Sequence, residues 1–314
     1  MTSKPAVAVL DDYQGVALEL ADWSAVSARA SVDVFRDHLE DADAVVERLR
    51  PYEVVCVMRE RTPLPRAVIE RLPRLKLIAS TGPRNASVDI AAARERGIAV
   101  VHTSYTSSPT IELTWALILG GARHLLTEAA SVRAGGWQRR VGDDMAGTTL
   151  GIIGLGNVGT QVARIGLAFG MQVVAWSQNL TAQSAAAAGA RLVSKEELLR
   201  RSDVISIHLV LSARTRGLIG AAELGLMKPS ARLVNTSRGA IVVEAALIEA
   251  LTEHRIAGAA VDVFDTEPLP PQHPYRRIDN LLATPHIGFV SRGLYERFYR
   301  DTVTNIVAWL DGVR

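Results

Sequence analysis

Three side chains in the second half of the chain have the types needed for acid–base chemistry on a carbonyl compound that carries a carboxylate. The guanidinium of Arg238 offers a planar fork of donors to a carboxylate and to a neighbouring carbonyl oxygen. Imidazole changes its protonation near neutral pH, so His286 can donate or accept a proton. A carboxylate such as Glu267 can hold the second ring nitrogen and fix the tautomer. These residue types predict a polarised carbonyl group and a proton donor.

Each of the three residues also has an ordinary structural explanation. Arg238 could form a surface ion pair, and Glu267 beside Pro268 could be a solvated turn residue. His286 after Pro285 could cap a helix that begins nearby. The order in which their motifs occur along the chain favours the catalytic interpretation.

The segment Gly154-Leu155-Gly156-Asn157-Val158-Gly159 has the pattern of a dinucleotide-binding turn. The β-rich pentapeptide Thr149–Ile153 precedes it, helix-compatible residues 161–169 follow, and a second apolar run ends at Trp176. Strand, glycine turn, helix and strand in this order predict the βαβ unit that binds a dinucleotide. A purely structural turn is the alternative.

Each glycine of this turn has a distinct expected role. Gly154 permits the tight turn, Gly156 lets the backbone approach a pyrophosphate, and Gly159 lets the helix pack close to the strand. The first helical amides, from Asn157 and Val158, would point at phosphate.

Strand and helix patterns alternate along the chain and predict an α/β fold with two doubly wound parallel sheets. The strand patterns cover residues 6–10, 32–35, 52–58, 75–80, 98–102, 173–176, 204–209, 231–236, 258–263 and 281–283. Residues 111–126 predict one apolar connecting helix, and residues 293–310 predict a closing helix. We expect a Rossmann nucleotide-binding domain at 104–285, inserted in a flavodoxin-like substrate-binding domain formed by 1–103 and 286–314.

Composition and charge narrow the classes of partner. A chain of 314 residues exceeds the usual size of a single core, and a net charge of +2 gives no reason to expect nucleic acid. The N-terminus lacks a signal-peptide pattern, and no apolar run approaches the ~20 residues that span a membrane. The single cysteine, Cys56, lies in an apolar run and predicts a buried thiol. We therefore expect a cytoplasmic protein with no membrane partner and no metal.

Three later motifs follow the glycine turn in a fixed order: Asn235-Thr236-Ser237-Arg238-Gly239, then 262–269 with the sequence DVFDTEPL, then Thr284-Pro285-His286-Ile287-Gly288. From roughly Leu75 to its end, the chain resembles the D-isomer-specific 2-hydroxyacid dehydrogenase family, which includes phosphoglycerate dehydrogenases and glyoxylate or hydroxypyruvate reductases. The first ~70 residues share only the strand and helix pattern.

The resemblance implies interconversion of a 2-oxo acid and a D-2-hydroxy acid by hydride transfer with NAD or NADP. The matching family residues assign substrate orientation to Arg238, the proton to His286, and support of that histidine to Glu267. By the same resemblance, Thr236 lines the nicotinamide side and Asp262 holds the carboxamide. Arg238, His286 and Gly288 complete the expected contacts with that end of the cofactor. Asp262 could instead cap the end of its strand.

The expected ribose position departs from the NAD pattern. An acidic residue normally stands ~20 residues beyond the glycines, but this chain has Ser177-Gln178-Asn179 there. No carboxylate repels a 2′-phosphate, and no adjacent Arg or Lys attracts one. We expect Ser177 to contact the cofactor and the preference between NAD and NADP to be relaxed, with a modest lean to NADP tolerance.

Substrate residues are weakly encoded. Arg59 follows a strand and would meet a distal substrate group, although an ion pair with Glu60 explains it equally well. Gly82 and Arg84 lie in a loop that resembles the family's carboxylate-binding loop but contains an apparent extra residue. Tyr295 would narrow the pocket or simply pack on a helix surface.

Two further expectations concern assembly and activity. The apolar segment 111–126 and the region around Trp137 predict a homodimer, which is usual in the family. The same fold also supports a non-catalytic NAD(H) sensor, so turnover must decide between an enzyme and a binding protein.

Overall fold

The computed structural model describes residues 4–312, which form two compact units. Unit 1 comprises the described residues up to Thr106 and from Val290 onward, and unit 2 spans Ser107–Phe289. The expected boundaries at 103/104 and 285/286 lie a few residues from these breaks. The assignment of nucleotide binding to one unit and substrate binding to the other stays a prediction at this point.

Unit 1 contains a five-stranded parallel sheet in the order β2-β1-β3-β4-β5. Every residue of the central strands β3 and β4 is buried, as expected for strands covered on both faces. The strands are β1 (Ala6–Val9), β2 (Ser31–Val34), β3 (Val54–Val57), β4 (Leu77–Ser80) and β5 (Ala99–His102), and the helices between them are α1 (Ser24–Ser27), α2 (Ala42–Leu49), α3 (Arg66–Ile69) and α4 (Ile90–Glu95).

Unit 2 contains a seven-stranded parallel sheet in the order β12-β11-β10-β9-β6-β7-β8. Its helices are α5 (Ser108–Ala122), α6 (Leu125–Arg133), α7 (Asn157–Ala168), α8 (Ala182–Ala187), α9 (Lys195–Arg201), α10 (Ala221–Leu224) and α11 (Glu244–Thr252). Its strands are β6 (Thr149–Ile153), β7 (Gln172–Trp176), β8 (Arg191–Leu192), β9 (Val204–Ile207), β10 (Arg232–Asn235), β11 (Gly258–Val261) and β12 (Leu281–Ala283).

The last helix, α12 (Arg292–Leu310), belongs to unit 1 and packs against β4 and α1. Phe298 and Ile306 on this helix are completely buried. The helix begins after Ser291, whose hydroxyl accepts a hydrogen bond from the Leu294 amide. His286 therefore does not cap this helix, and that structural explanation for the histidine was wrong.

Both parallel sheets have helices between their strands, so the expected α/β fold with two doubly wound sheets is confirmed. The expectation of one helix over 111–126 was wrong. α5 ends at Ala122, and His124 adopts a left-handed conformation (φ 50°) before α6 begins at Leu125. A helix cannot continue through a residue in that conformation, so the apolar segment forms parts of two helices.

The register of the second sheet brings several strand ends into one row. Ile153 pairs with Ile207, Ile207 with Asn235, Asn235 with Val261, and Val261 with Ala283. The strand order reverses beside β6, which is flanked by β7 and β9. Open α/β sheets bind ligands outside the carboxyl ends of their strands at such a point.

Candidate active site

The loops after β10, β11 and β12 leave the same edge of the sheet in unit 2 and carry the predicted catalytic side chains. Arg238 follows β10, Glu267 lies in the loop after β11, and His286 follows β12. Neighbouring parallel strands place these loops side by side. Along the chain, however, Glu267 lies 29 residues after Arg238 and 19 residues before His286.

Glu267 and His286 form a direct hydrogen bond. Nδ1 of His286 lies 2.5 Å from Oε2 of Glu267, whose Oε1 accepts a hydrogen bond from the Phe264 amide at 2.9 Å. An ionised carboxylate can only accept, so Nδ1 is the donor and Nε2 remains for proton exchange. Burial of Glu267 favours its neutral form, but His286, the Phe264 amide and Arg238 outweigh that effect. The pKa of Glu267 is therefore lowered, and the carboxylate is ionised near neutral pH.

The backbone of His286 adopts the left-handed conformation, with φ at 52°. Such a conformation is uncommon for a residue other than glycine, and it persists where surrounding contacts determine it. The edge of the imidazole packs against Phe289, with ring centroids 5.6 Å apart. The loop therefore fixes both the backbone and the ring of the histidine.

Asp262 supplies the contacts that hold this loop. Its carboxylate accepts hydrogen bonds from the Thr284 hydroxyl (2.6 Å) and from the amides of Ile287 (2.8 Å) and Gly288 (2.7 Å). Asp262 is only 1% exposed, and burial raises the pKa of its carboxyl although these donors oppose the rise. Asp262 thus caps the strand end and clamps the His286 loop. Its contact with a carboxamide stays a prediction.

Arg238 has an extended backbone and a half-buried side chain whose Nη1 donates to the Ser237 carbonyl at 2.8 Å. The turn that presents it is shaped by Asn235, which accepts from the Ser237 amide and donates to the Arg238 carbonyl, both at 3.0 Å. Asn235 belongs to the sequence motif, which does not by itself predict this role. An asparagine that bonds the amide two residues ahead is a known turn signal.

The glycine turn has the shape that a pyrophosphate requires. Gly154 has a φ of 99°, and a Cβ atom there would lie 2.5 Å from the His208 carbonyl oxygen. A Cβ atom on Gly159 would lie 2.1 Å from the Gly154 carbonyl oxygen, whereas the space in front of Gly156 is open. The twelve-residue helix α7 begins immediately after Gly156. This cradle, beside a helix N-terminus, fits a dinucleotide.

The end of β7 carries the three polar residues expected at the ribose. Ser177 is half-buried, and Gln178 and Asn179 are exposed. These residues follow the strand that neighbours β6, which leads into the glycine turn.

The loop residues considered for substrate binding lie in unit 1. Nη1 of Arg59 donates to the Thr81 carbonyl at 3.1 Å, and Nη2 lies 3.7 Å from Glu60. The Gly82 amide donates to the Thr103 hydroxyl at 2.7 Å, so this amide is used within the unit.

The two other substrate candidates have contrasting surroundings. Arg84 is exposed. Tyr295 on α12 is 3% exposed and packs edge-on against Tyr299, with ring centroids 5.8 Å apart. The environment of Tyr295 is that of a packed helix surface.

Cys56 is buried, which confirms the expected buried thiol, and burial raises the pKa of that thiol to about 12. Among residues 4–312, no group of three or more His, Cys, Asp or Glu side chains is placed to bind a metal ion. In the described part of the chain, no helix combines the length and the apolar character needed to cross a membrane.

Comparison with known families and proteins supports the same interpretation. Residues 115–288 match the NAD-binding domain of the D-isomer-specific 2-hydroxyacid dehydrogenases. Glyoxylate reductase from Aeropyrum pernix is 41% identical over 255 residues, which cover 78% of this chain and 76% of that protein. Hydroxypyruvate reductase from Thermotoga maritima is 35% identical over 267 residues, or 83% of this chain and 85% of that protein.

D-3-phosphoglycerate dehydrogenase from Methanocaldococcus jannaschii is 39% identical over 78% of this chain, but the match spans only 47% of that longer protein. Among solved structures, phosphoglycerate oxidoreductase from Vibrio cholerae O395 superposes with a TM-score of 0.92 at 35% identity, covering 98% of this chain and 99% of that one.

The named relatives are reductases and dehydrogenases, which supports the enzyme interpretation and not the sensor. The family match also confirms the expected nicotinamide cofactor, NAD or NADP. The chain belongs to the D-isomer-specific 2-hydroxyacid dehydrogenase family and is an NAD(P)-dependent oxidoreductase.

Proposed function

We propose that this oxidoreductase reduces a small 2-oxo acid to the corresponding D-2-hydroxy acid, with Arg238, Glu267 and His286 as its catalytic residues. The observation that carries the proposal is the 2.5 Å hydrogen bond between His286 and Glu267 beside the Arg238 loop. The names of the relatives point to glyoxylate and hydroxypyruvate as the size class of substrate.

The proposed cofactor site runs along the carboxyl edge of the sheet in unit 2. The bound nicotinamide cofactor supplies the hydride. The glycine turn and the first amides of α7 would hold its pyrophosphate, and Ser177 would contact its ribose. The residues proposed at the nicotinamide end are Thr236, Arg238, Asp262, His286 and Gly288.

The chain's own residues manage the charge and the proton. Arg238 binds the substrate carboxylate and the carbonyl oxygen, and so polarises the bond that receives the hydride. Nε2 of protonated His286 donates its proton to that oxygen, which yields the hydroxyl group. Ionised Glu267 stabilises the imidazolium before the transfer and keeps Nδ1 protonated after it. In the oxidative direction, neutral His286 removes the hydroxyl proton.

We also propose that distal substrate groups contact the strand-end loops of unit 1. Arg59, Gly82 and Arg84 are the candidates, and Arg59 offers a cation that is already oriented by the Thr81 carbonyl. The burial of Tyr295 supports a packing role on the helix surface.

The residues at the expected ribose position support a relaxed preference between NAD and NADP. Ser177, Gln178 and Asn179 provide neither a carboxylate against a 2′-phosphate nor a cation for it. We expect comparable kcat/KM values with NADH and NADPH. A preference for NADH of a hundredfold or more, about 2.7 kcal/mol, would contradict this.

We propose a homodimer that covers an apolar surface on and after α6. Five large apolar side chains there are between 55% and 93% exposed, namely Leu125, Leu126, Val132, Trp137 and Val141. Large exposed apolar surfaces commonly mark interfaces. Light scattering would show a dimer, which Trp137→Asp should weaken. The cytoplasmic location stays a prediction.

The decisive assay follows NADH and NADPH oxidation with glyoxylate, hydroxypyruvate, pyruvate, phenylpyruvate and 2-oxoglutarate. Turnover of at least one small acid that disappears in His286→Asn supports the proposal. Cofactor binding without turnover of any of these acids would overturn the proposed substrate class.

A further inference from the structure

The first two turns of α5 contact the glycine turn, the His286 loop and the Arg238 loop of the proposed site in unit 2. Ser107, at the N-terminus of this helix, accepts a hydrogen bond from the Asn157 side chain in the glycine turn at 3.0 Å. Thr110 and Thr114, one and two turns further on, contact the His286 loop and the Arg238 loop. The helix predicted over 111–126 includes Thr114 but not Ser107 or Thr110, and its apolar pattern predicts no contact of these three residues with the site.

Thr114 lies beneath the Arg238 loop. Its side chain is completely buried, and its Oγ1 lies 2.9 Å from Oγ1 of Thr236. Oγ1 of Thr114 also donates to the Thr110 carbonyl at 2.7 Å. A hydroxyl has only one proton, so Thr114 must accept from Thr236. Thr236 therefore has a fixed hydroxyl orientation, two residues before Arg238.

Thr110 connects the same helix to the His286 loop. Its Oγ1 donates to the Gly288 carbonyl at 3.0 Å, while the Gly288 amide donates to Asp262 at 2.7 Å. Both the carbonyl and the amide of Gly288, two residues after His286, are thus hydrogen-bonded to side chains. The chain of contacts runs from Thr236 through Thr114 and Thr110 to Gly288.

A back-bond from a threonine to the carbonyl four residues earlier slightly destabilises a helix and does not by itself explain a buried hydroxyl. Thr252 makes the same type of bond to Ile248 at 2.8 Å, but on the exposed end of α11 and with no link to the site. Thr114 differs because its oxygen also bonds a residue from another loop. Thr252 is therefore a matched control.

We infer that Thr114 is a positioning residue that, through Thr110, fixes the Arg238 loop relative to the His286 loop. This inference rests on the proposed roles of Arg238 and His286. The hydrogen bonds of Thr114 go to Thr110 and Thr236, so its effect is on the alignment of substrate and proton donor. The hydroxyl, not the volume of the side chain, carries that effect.

The test compares Thr114→Val, Thr114→Ser and Thr252→Val in the full-length enzyme. We expect Thr114→Val to lower kcat about tenfold, because the two loops lose a buried hydrogen bond that aligns them. Thr114→Ser keeps the hydroxyl and should stay within about twofold of the parent enzyme, as should Thr252→Val. Values of kcat are expressed per site that binds NADH, which separates misalignment from loss of folded protein. An unchanged kcat in Thr114→Val, or a loss that serine does not restore, would overturn the inference.

A second variant tests the connection itself. Thr110→Val should lower kcat, and Thr110→Val combined with Thr114→Val should be no slower than the slower single variant, because both break one chain of contacts. Independent, multiplicative losses would contradict a single chain. If Thr114→Val yields no protein that binds NADH, an unchanged kcat in Thr110→Val still overturns the inference.

These results are distinguishable from failure of the proposed function. If His286→Asn kept full turnover, the acid–base assignment would fail whatever the threonine variants did. If His286→Asn were inactive and Thr114→Val unaffected, only the positioning role would fail.

Discussion

A histidine is paired with a carboxylate both in unit 1 and in the proposed active site of unit 2, and these two pairs differ in their surroundings. In unit 1, Nδ1 of His38 lies 3.0 Å from Oδ1 of Asp11, and the two side chains are 10% and 1% exposed. In unit 2, Nδ1 of His286 lies 2.5 Å from Oε2 of Glu267, and the side chains are 25% and 32% exposed. One residue of each pair has a left-handed backbone conformation, Asp11 in unit 1 and His286 in unit 2.

The contacts around the carboxylates explain why only one pair is suited to catalysis. The second oxygen of Asp11 accepts a hydrogen bond from the Thr62 hydroxyl at 2.7 Å, so this pair stabilises the interior of unit 1. Glu267 lies near Arg238, which can hold an anionic substrate beside an imidazole that solvent reaches. A histidine–carboxylate pair is therefore not an active site in itself. The imidazole of His286 is 25% exposed and that of His38 only 10%, so access to the imidazole makes the difference.

Replacing each histidine by asparagine is the strongest test of this contrast. His286→Asn removes the proposed proton donor, and we expect turnover to fall by about 10²-fold or more. NADH binding, followed by quenching of tryptophan fluorescence, should be retained. His38→Asn should keep turnover within about twofold while lowering stability. Comparable losses of turnover in both variants would remove the distinction between the pairs.

Neutralising Glu267 should lower turnover, whereas neutralising Asp11 should lower stability. Hydrogen bonds to charged groups are worth about 1.5–3 kcal/mol, so Glu267→Gln should lower kcat about tenfold to a hundredfold. Asp11→Asn should instead lower the free energy of unfolding by about 1–3 kcal/mol, measured by urea denaturation. A stable Asp11→Asn variant with poor turnover would give Asp11 a role in catalysis.

The pH dependence of stability should report the pair in unit 1. The hydrogen bond with Asp11 raises the pKa of His38, and partial burial opposes the rise. Folded His38 therefore binds its proton more tightly than unfolded His38. Its contribution to stability is complete below about pH 6.5 and is lost as the pH rises through the raised pKa.

The measurement is the free energy of unfolding between about pH 6 and pH 9 for the parent and for His38→Gln. The difference in stability between the two proteins should shrink as the pH rises. We expect this change to be smaller than the effects of replacing the histidines or the carboxylates. A difference that stays constant or grows would show that His38 gains nothing from its charge.

The strands and the site motifs were the features most readily predicted. The predicted ranges of β6 and β12 match the observed ones, because each strand is a short, mostly apolar run. The glycine turn was recognisable because its residues are adjacent in sequence and each has a local steric reason. The helix break at His124 was not, because a left-handed residue inside an apolar segment leaves no clear pattern.

The two parallel sheets, the order of the motifs and the residue types available for catalysis were predictable from the sequence, since these depend on local apolar patterns and on side-chain chemistry. The three-dimensional contacts were needed to show that Asp262 clamps the His286 loop and that Asn235 shapes the turn before Arg238. The link from Thr114 to Thr236 joins residues 122 positions apart. Such contacts depend on strand register and loop geometry, which bring together groups that no local pattern connects.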